Sequence, residues 1–152
     1  MVTSNTTREK QVFSKSLKLM GNRFQLSAVA YDEVFAHNCI DAATEEIRRI
    51  EKLLTTFSEE SETAQINSNA GIEPVKVSEE TFNIIERSIR ISKLTQCAFD
   101  ITYSSVDKRL WNFDTTMQSL PDKETAKKMV RLVNYRNIIL DKKNTTVFLK
   151  EQ

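Results

Sequence analysis

The sequence predicts an α+β domain of antiparallel strands, one long amphipathic helix and two further helices. Two runs of alternating apolar residues flank Gly21, as in a β-hairpin. Apolar residues then recur at spacings of three and four over residues 36–57, and two β-rich runs surround a polar loop at residues 141–144. The length of 152 residues and the 39% hydrophobic content suit one domain with one core.

Composition excludes several classes of function. Lys plus Arg is 22 and Asp plus Glu is 21, so the formal net charge of +1 gives no sign of nucleic acid or an anionic membrane as partner. The chain has two distant glycines, which are too few for a P-loop or a dinucleotide-binding fingerprint. With His37 as its one histidine and two cysteines, the chain cannot by itself form a Cys/His zinc module or an HExxH site.

A hairpin is expected near the start of the chain, after a disordered lead-in over residues 1–10. Alternation places two apolar sets on one side of the two strands: Phe13, Leu17 and Leu19, then Phe24, Leu26 and Ala28. Met20, Gly21 and Asn22 are predicted to form the connection between the strands.

A long amphipathic helix follows, with Asp32 as its N-cap. Its apolar stripe comprises Ala36, Ile40, Ala43, Ile47, Ile50, Leu54 and Phe57. Cys39 falls on the apolar side of this helix, so we expect it to be a small buried hydrophobe. The helix is interpreted as lying on a sheet, and half of a coiled coil is the alternative.

Capping residues and turn signals predict the remaining elements. One short helical turn is expected near residues 61–67, before a stop at Gly71. Ser78 is predicted to cap a second helix and Leu120-Pro121-Asp122 to begin a third. Their inner faces are predicted to carry Phe82, Ile85, Ile89 and Leu94, and Ala126, Met129, Val130 and Val133, respectively. Residues 137–140 and 145–149 are predicted to form a closing hairpin.

The segment over residues 95–113 fits neither a helix period nor a strict strand period. Asp100 and Thr102 stand among apolar neighbours there, and an acid in an apolar run must be solvated, hydrogen-bonded or engaged by a ligand. Residue types alone favour a helix cap. Asp100, Asp107 and Asp114 are spaced by seven, but the basic residues between them argue against a metal site.

Three separated segments match a known family in order and spacing. Met20-Gly21 follows the first strand, and Leu53-Leu54-Thr55-Thr56-Phe57, then Ser61-Glu62 and Ile66-Asn67, resembles the "LSxY…SEIsrlN" segment of the FAD:protein FMN transferases, the ApbE family. Ala98-Phe99-Asp100-Ile101-Thr102, followed by Leu110-Trp111-Asn112-Phe113, resembles the "GAFDxTxGPLxxLWGF" signature of that family. The resemblance covers nearly the whole chain from Leu17 onward and implies an ApbE-like half-fold.

The resemblance implies a flavin site and a transfer reaction. Family members bind FAD and, with a divalent metal such as Mg²⁺, transfer its FMN half to a Thr or Ser hydroxyl of a partner protein, such as a redox-pump subunit, with release of AMP. Carried over by position, the residues expected at FAD are Met20, Phe57, Ala98, Phe99 and Asp100. Their structural alternatives are Phe57 as the last core residue of its helix, Met20 as strand-end packing and Phe99 as core.

The sequence departs from the family pattern at several positions. Cys97 stands where the signature has glycine, Ser104 and Ser105 stand where it has Gly-Pro, and Asn22 stands where threonine is usual. If the backbone at Cys97 needs a positive φ, its Cβ costs about 1 kcal/mol or more.

The family continues past the last predicted strand into a glycine-rich segment and a metal site. Residues 11–152 are therefore expected to be the N-terminal part of an ApbE-like domain, with the Mg²⁺ ligands beyond residue 152. We expect this part alone to be inactive in flavin transfer, because phosphoryl transfer depends on positioning and on a metal that neutralises phosphate charge.

Two other functions remain open at this point: a non-catalytic flavin-binding module and a protein-interaction module, including a homodimer formed through an open sheet edge. The polar N-terminus shows no signal peptide, whereas family members are usually exported and anchored by lipid. The sequence therefore leaves the localisation undecided.

Overall fold

The computed structural model describes residues 9–105 and 122–151. The chain forms two compact units, Met1–Thr55 and Thr56–Gln152, and each is described by itself below. No helix in the described part of the chain is both long enough and apolar enough to cross a membrane.

The first unit begins with a two-stranded antiparallel hairpin. Strand β1 spans Gln11–Leu19 and strand β2 spans Asn22–Ala30, with Leu19 paired to Asn22. The two-residue turn between them has a positive φ at both positions, 49° at Met20 and 72° at Gly21. A turn of this kind matches the right-handed twist of the strands, so the predicted hairpin is confirmed. The alternation is confirmed too, since the predicted inward residues are the less exposed ones on both strands.

Helix α1, Glu33–Leu54, completes the first unit. Asp32 is its N-cap, as predicted, and its Oδ1 accepts from the backbone N–H of Phe35 at 2.8 Å. On the hairpin side, Lys15 Nζ donates to Asp41 Oδ1 at 2.6 Å and so joins β1 to α1. This contact lowers the pKa of the Asp41 carboxyl, first through the hydrogen bond and then through the lysine charge.

Three expectations for α1 are wrong. The fully buried positions are Ala36, Ile40 and Thr44, so the stripe passes through Thr44 and leaves Ala43 exposed. Cys39 is exposed rather than buried, because a stripe with a spacing of four turns it away from that face. The helix ends at Leu54, where extended backbone at Thr55 stops it, so Phe57 lies outside the helix.

The second unit combines three α-helices with a three-stranded antiparallel sheet of order β3–β5–β4 within the described residues. Its elements are α2 Glu62–Ser68, β3 Val75–Lys76, α3 Glu79–Leu94, α4 Lys123–Leu132, β4 Ile138–Asp141 and β5 Thr146–Leu149. Short 3₁₀ helices span Ile101–Ser105 and Tyr135–Asn137. The three helices and the β4–β5 hairpin all fall where the sequence predicted them.

The core of the second unit lies between α2, α3 and the sheet. Its buried members are Ile66, Val77, Phe82, Ile85 and Val147. Leu94, predicted to face inward, is instead 72% exposed, and Val130 of α4 is also exposed. Leu94 is the last residue of α3, directly before the C-cap Thr95, so it lies beyond the part of the helix that packs in the core.

Candidate functional site

The loop that follows α3 begins with a strained helix cap. The N–H of Gln96 donates to the carbonyl of Lys93 at 3.3 Å, and the N–H of Cys97 donates to that of Ser92 at 2.9 Å. This pair of bonds is the Schellman arrangement, in which a glycine usually takes the left-handed position. Here Gln96 has φ 51° and Cys97 has φ 69°. The backbone at Cys97 is therefore left-handed, the condition under which its Cβ costs about 1 kcal/mol.

The Asp100 carboxylate bonds to two separate parts of the second unit. Its Oδ1 accepts from the backbone N–H of Thr102 at 2.9 Å and from the Thr102 hydroxyl at 2.7 Å. Its Oδ2 accepts from the backbone N–H of Tyr135 at 2.9 Å. Asp100 thus caps the 3₁₀ helix that begins at Ile101 and also holds a residue 35 positions further along the chain. The capping interpretation of Asp100 agrees with this geometry.

Thr102 extends the same hydrogen-bond network. Its Oγ1 accepts from the backbone N–H of Asn134 at 2.8 Å while donating to Asp100. We name Asp100, Thr102, Asn134 and Tyr135 together the Asp100–Thr102 node. Both acceptors are partly buried, so each bond in the node replaces a bond to water. Thr102 was not among the predicted site residues, although its hydroxyl in an apolar run was a usable signal.

Aromatic side chains stand at the surface beside this node. Phe99 is 44% exposed, so the alternative that makes it a core residue is wrong. The backbone N–H of Phe99 donates to the Thr95 hydroxyl at 3.2 Å, which holds the start of the loop against the end of α3. Tyr103 is also exposed, and Ala98 precedes Phe99 on the surface. The loop can therefore offer an aromatic face to a planar ligand.

Phe57 lies in the connection between α1 and α2 and is 94% exposed. This exposure contradicts its alternative role as the last core residue of α1. The aromatic side chain of Phe57 therefore lies at the surface, as the flavin interpretation requires.

Ser61 and Glu62, which belong to the same motif as Phe57, have structural roles. The Ser61 hydroxyl caps α2 by accepting from the N–H of Ala64 at 3.0 Å. Glu62 reaches the N-cap of α3: its Oε1 accepts from the Ser78 N–H at 2.8 Å and its Oε2 from the Ser78 hydroxyl at 2.9 Å. The motif thus fixes the starts of α2 and α3 and joins them to each other.

Met20 belongs to the first unit, at the first position of the hairpin turn, and is 42% exposed. It adopts a left-handed conformation that a bulky residue rarely takes, and such positions concentrate at functional sites. The structure thus brings Ala98, Phe99 and Asp100 together on one loop. It places Phe57 on a different connection of the same unit, and Met20 in the other unit.

Over residues 9–105 and 122–151, no three His, Cys, Asp or Glu side chains cluster as a metal site needs. Asp107 and Asp114, from the alternative that spaced three acids by seven, lie outside the described residues. The described part of the chain therefore offers no ligand set that fits Mg²⁺. Cys39 and Cys97 are both free thiols.

Sequence comparisons agree with the motifs. The model of the ApbE family matches residues 20–152. An FAD:protein FMN transferase of Klebsiella pneumoniae is 31% identical over 143 residues, which cover 94% of this chain and 44% of that protein. The FAD:protein FMN transferase of Haemophilus influenzae is 28% identical over 111 residues, which cover 70% of this chain and 31% of that protein.

Solved structures share the fold. The ApbE protein of Thermotoga maritima aligns with a TM-score of 0.80 at 25% identity, covering 91% of this chain and 45% of that one. The flavinyl transferase ApbE of Pseudomonas stutzeri, in its apo form, aligns with a TM-score of 0.75 at 17% identity, covering 94% of this chain and 46% of that one. The predicted α+β class is confirmed, and the chain spans less than half the length of these relatives.

Proposed function

The chain belongs to the ApbE family, and we propose on that basis that it forms the FAD-binding side of an FAD:protein FMN transferase. In the reaction, an acceptor hydroxyl oxygen of Thr or Ser bonds to the FMN phosphorus. The bond from that phosphorus to the AMP oxygen breaks, AMP leaves, and the acceptor hydroxyl loses its proton. The observation that carries this proposal is the match of the family to residues 20–152, with Ala98 and Phe99 exposed at the surface.

The proposed role of the described residues is to bind and orient FAD. Phe57 and Phe99 are exposed aromatic residues that suit stacking on adenine or isoalloxazine. Asp100 suits a hydrogen bond from an adenine or ribose donor, because a carboxylate accepts at about four lone-pair positions. At Met20-Gly21 the turn has no Cβ at its second residue, and an added Cβ there would meet nothing within 4 Å. That open backbone suits close approach of a ligand.

A divalent metal such as Mg²⁺ would neutralise phosphate charge in the transfer when bound. No group of three candidate ligands for it lies within residues 9–105 and 122–151. The proposed contribution of the described residues is to hold the nucleotide and to exclude water from the faces that stack on it.

We propose further that residues 11–152 are the N-terminal part of the ApbE-like domain and do not transfer FMN by themselves. The chain covers 44% to 46% of the Klebsiella and Pseudomonas relatives, and transfer depends on groups arranged around all the phosphates. The test adds FAD, Mg²⁺ and a flavin-accepting protein domain, then looks for covalent flavin fluorescence on that domain. Clear labelling would overturn the expectation of inactivity.

The partial coverage also favours a second candidate, a non-catalytic flavin-binding module. Both candidates require that the chain bind FAD, and they differ in whether a larger assembly containing it labels an acceptor protein. The partner of the transferase is proposed to be a protein that presents a Thr or Ser hydroxyl. A homodimer is a separate outcome, which sedimentation of the chain would detect.

FAD binding is tested by titrating the chain into FAD and following flavin fluorescence. Phe57→Ala and Phe99→Ala are each expected to weaken binding by about tenfold, since stacking on an aromatic ring contributes about 1–3 kcal/mol. Phe35→Ala is the matched control, because Phe35 is an exposed aromatic residue on α1 that belongs to none of the motifs. Equal loss of affinity in all three variants, or none in any, would remove these rings from the site.

A further inference from the structure

The Thr102 hydroxyl occupies the centre of the Asp100–Thr102 node. It donates to Asp100 Oδ1 at 2.7 Å and accepts from the Asn134 N–H at 2.8 Å. A hydroxyl has one donor and two acceptor lone pairs, so these two bonds fix the direction of its hydrogen. Thr102 thereby links the loop that carries Phe99 to a backbone 32 residues further along the chain.

The carboxylate of Asp100 is almost fully used by the chain itself. Its approximately four acceptor positions take three donors within the described residues: the Thr102 N–H, the Thr102 hydroxyl and the Tyr135 N–H. Two of these donors share Oδ1, so among the described residues Oδ2 takes a single donor. The side chain of Asp100 is half-buried, so part of its surface is accessible to solvent.

We infer that Thr102 is a positioning residue for the nucleotide, and that Asp100 accepts one hydrogen bond from it through Oδ2. The hydroxyl of Thr102, together with its backbone N–H, holds Oδ1 and so sets the rotation of the whole carboxylate, which aims the remaining lone pair of Oδ2. The backbone N–H of Tyr135 donates to Oδ2 and so holds that oxygen in place. This inference rests on the proposed function and adds to it the positioning role of Thr102 and a single ligand hydrogen bond at Asp100 Oδ2.

Through the node, ligand binding at Asp100 is expected to change the environment of the Asn134 and Tyr135 backbone amides. A donor arriving at Oδ2 shares that oxygen with the Tyr135 N–H, and any rotation of the carboxylate moves the Thr102 hydroxyl against the Asn134 N–H. Both amides are therefore expected to change their NMR chemical shifts when the nucleotide binds.

The test compares FAD affinity in four forms of the intact chain. Thr102→Val keeps the shape but removes both hydrogen bonds of the hydroxyl, and is expected to weaken FAD binding by about tenfold. Thr102→Ser keeps the hydroxyl and is expected to restore affinity to within about threefold. Thr44→Val is the control in the wild-type background, since the Thr44 hydroxyl bonds only to the carbonyl of Ile40 in its own helix.

A double variant separates positioning from general stabilisation. If Thr102 acts through Asp100, adding Thr102→Val to Asp100→Asn costs little further FAD affinity, although each change costs stability. A purely structural role predicts that the two losses of affinity add, or that affinity is unchanged once folding is accounted for. Either of those results would overturn the inference.

The outcomes also distinguish this inference from the proposed function. If the wild-type chain does not bind FAD, the proposed function fails and this inference fails with it. If the wild-type chain binds FAD and Thr102→Val binds equally well, the inference alone fails. Should Thr102→Val not fold, the wild-type amide spectrum decides: FAD saturation without shifts at Asn134 and Tyr135 overturns the inference.

Discussion

The two units differ in the contacts that stabilise each of them internally. In the first, consecutive strands pair along their whole length and α1 follows directly, so most contacts join elements that are neighbours in sequence. In the second, side chains join distant positions: Glu62 holds Ser78, and the Asp100–Thr102 node holds Asn134 and Tyr135. The first unit is therefore stabilised mainly by contacts between neighbouring elements. In the second unit, particular polar side chains join segments that are distant in sequence.

The same contrast appears in their strained turns. The left-handed turn of the first unit includes Gly21, which adopts a positive φ without steric cost. The left-handed cap of the second unit has no glycine, since Gln96 and Cys97 both carry a Cβ. In the second unit the strained residues lie next to the loop proposed to bind FAD. In the first unit one of the two left-handed turn residues is a glycine, so Met20 alone carries a Cβ there.

The largest expected effect is the loss of stability when Asp100 is removed. Asp100→Ala leaves the N–H groups of Thr102 and Tyr135 without their acceptor, and we expect it to destabilise the second unit by about 3 kcal/mol. Urea unfolding measures the change, and amide exchange assigns it to a unit. Lys15→Ala is the matched control in the first unit, where an exposed ion pair is expected to contribute little. A larger loss from Lys15→Ala would reverse the comparison between the units.

The second effect concerns the tie between α2 and α3. Glu62→Ala removes both hydrogen bonds to Ser78, and we expect the free energy of unfolding to fall by about 2 kcal/mol. Glu62→Gln keeps one acceptor oxygen and is expected to lose about half as much. The measurement is urea unfolding of both variants. If Glu62→Ala and Glu62→Gln lower the free energy of unfolding equally, the carboxylate oxygens of Glu62 are not what joins the two helices.

The third effect is a gain in stability. Cys97→Gly removes a Cβ from a left-handed residue, so we expect stabilisation by about 1 kcal/mol. Cys97→Ala keeps the Cβ and serves as the control, with no gain expected. Thermal melting of the two variants makes the comparison. If Cys97→Ala stabilises as much as Cys97→Gly, the thiol rather than the backbone is the source of the strain.

The smallest effect is a pH dependence at the start of α4. Hydrogen bonds from the Thr125 hydroxyl and the Thr125 N–H lower the pKa of the Asp122 carboxyl from its ordinary value of 3.8. A lowered pKa means that the cap stabilises the helix above that value and weakens as pH falls below it. We expect α4 to fray in that acid range, as followed by its amide signals. In Asp122→Asn the same cap is uncharged, and fraying with the same midpoint would contradict this assignment.

The sequence predicted most of the secondary structure because caps and periodicity act locally. Asp32 and Ser78 were identified as N-caps, and the structure confirms both. The third helix was predicted to begin at Leu120-Pro121-Asp122, and Asp122 is its N-cap. Local patterns erred where apolar character alone was used to assign a residue to the inner face. Cys39 lies on the exposed side of α1, and Leu94 is the exposed last residue of α3.

The candidate site was less accessible to local reasoning. Resemblance identified Ala98, Phe99 and Asp100, but residue types could not show that Asp100 bonds to a backbone 35 residues away. Such a bond depends on tertiary folding, which no window of the sequence encodes. For the same reason the sequence did not show the links of Glu62 to Ser78 and of Thr102 to Asn134.

The most direct test of this account is amide chemical-shift mapping of the intact 152-residue chain during an FAD titration. We predict saturable shifts at Met20, Phe57 and Ala98-Phe99-Asp100, with Asn134 and Tyr135 following the same binding curve. Shifts confined to the outer face of α1, or a spectrum unchanged at saturating FAD, would contradict the central claim that these motifs form the FAD-binding side of the fold.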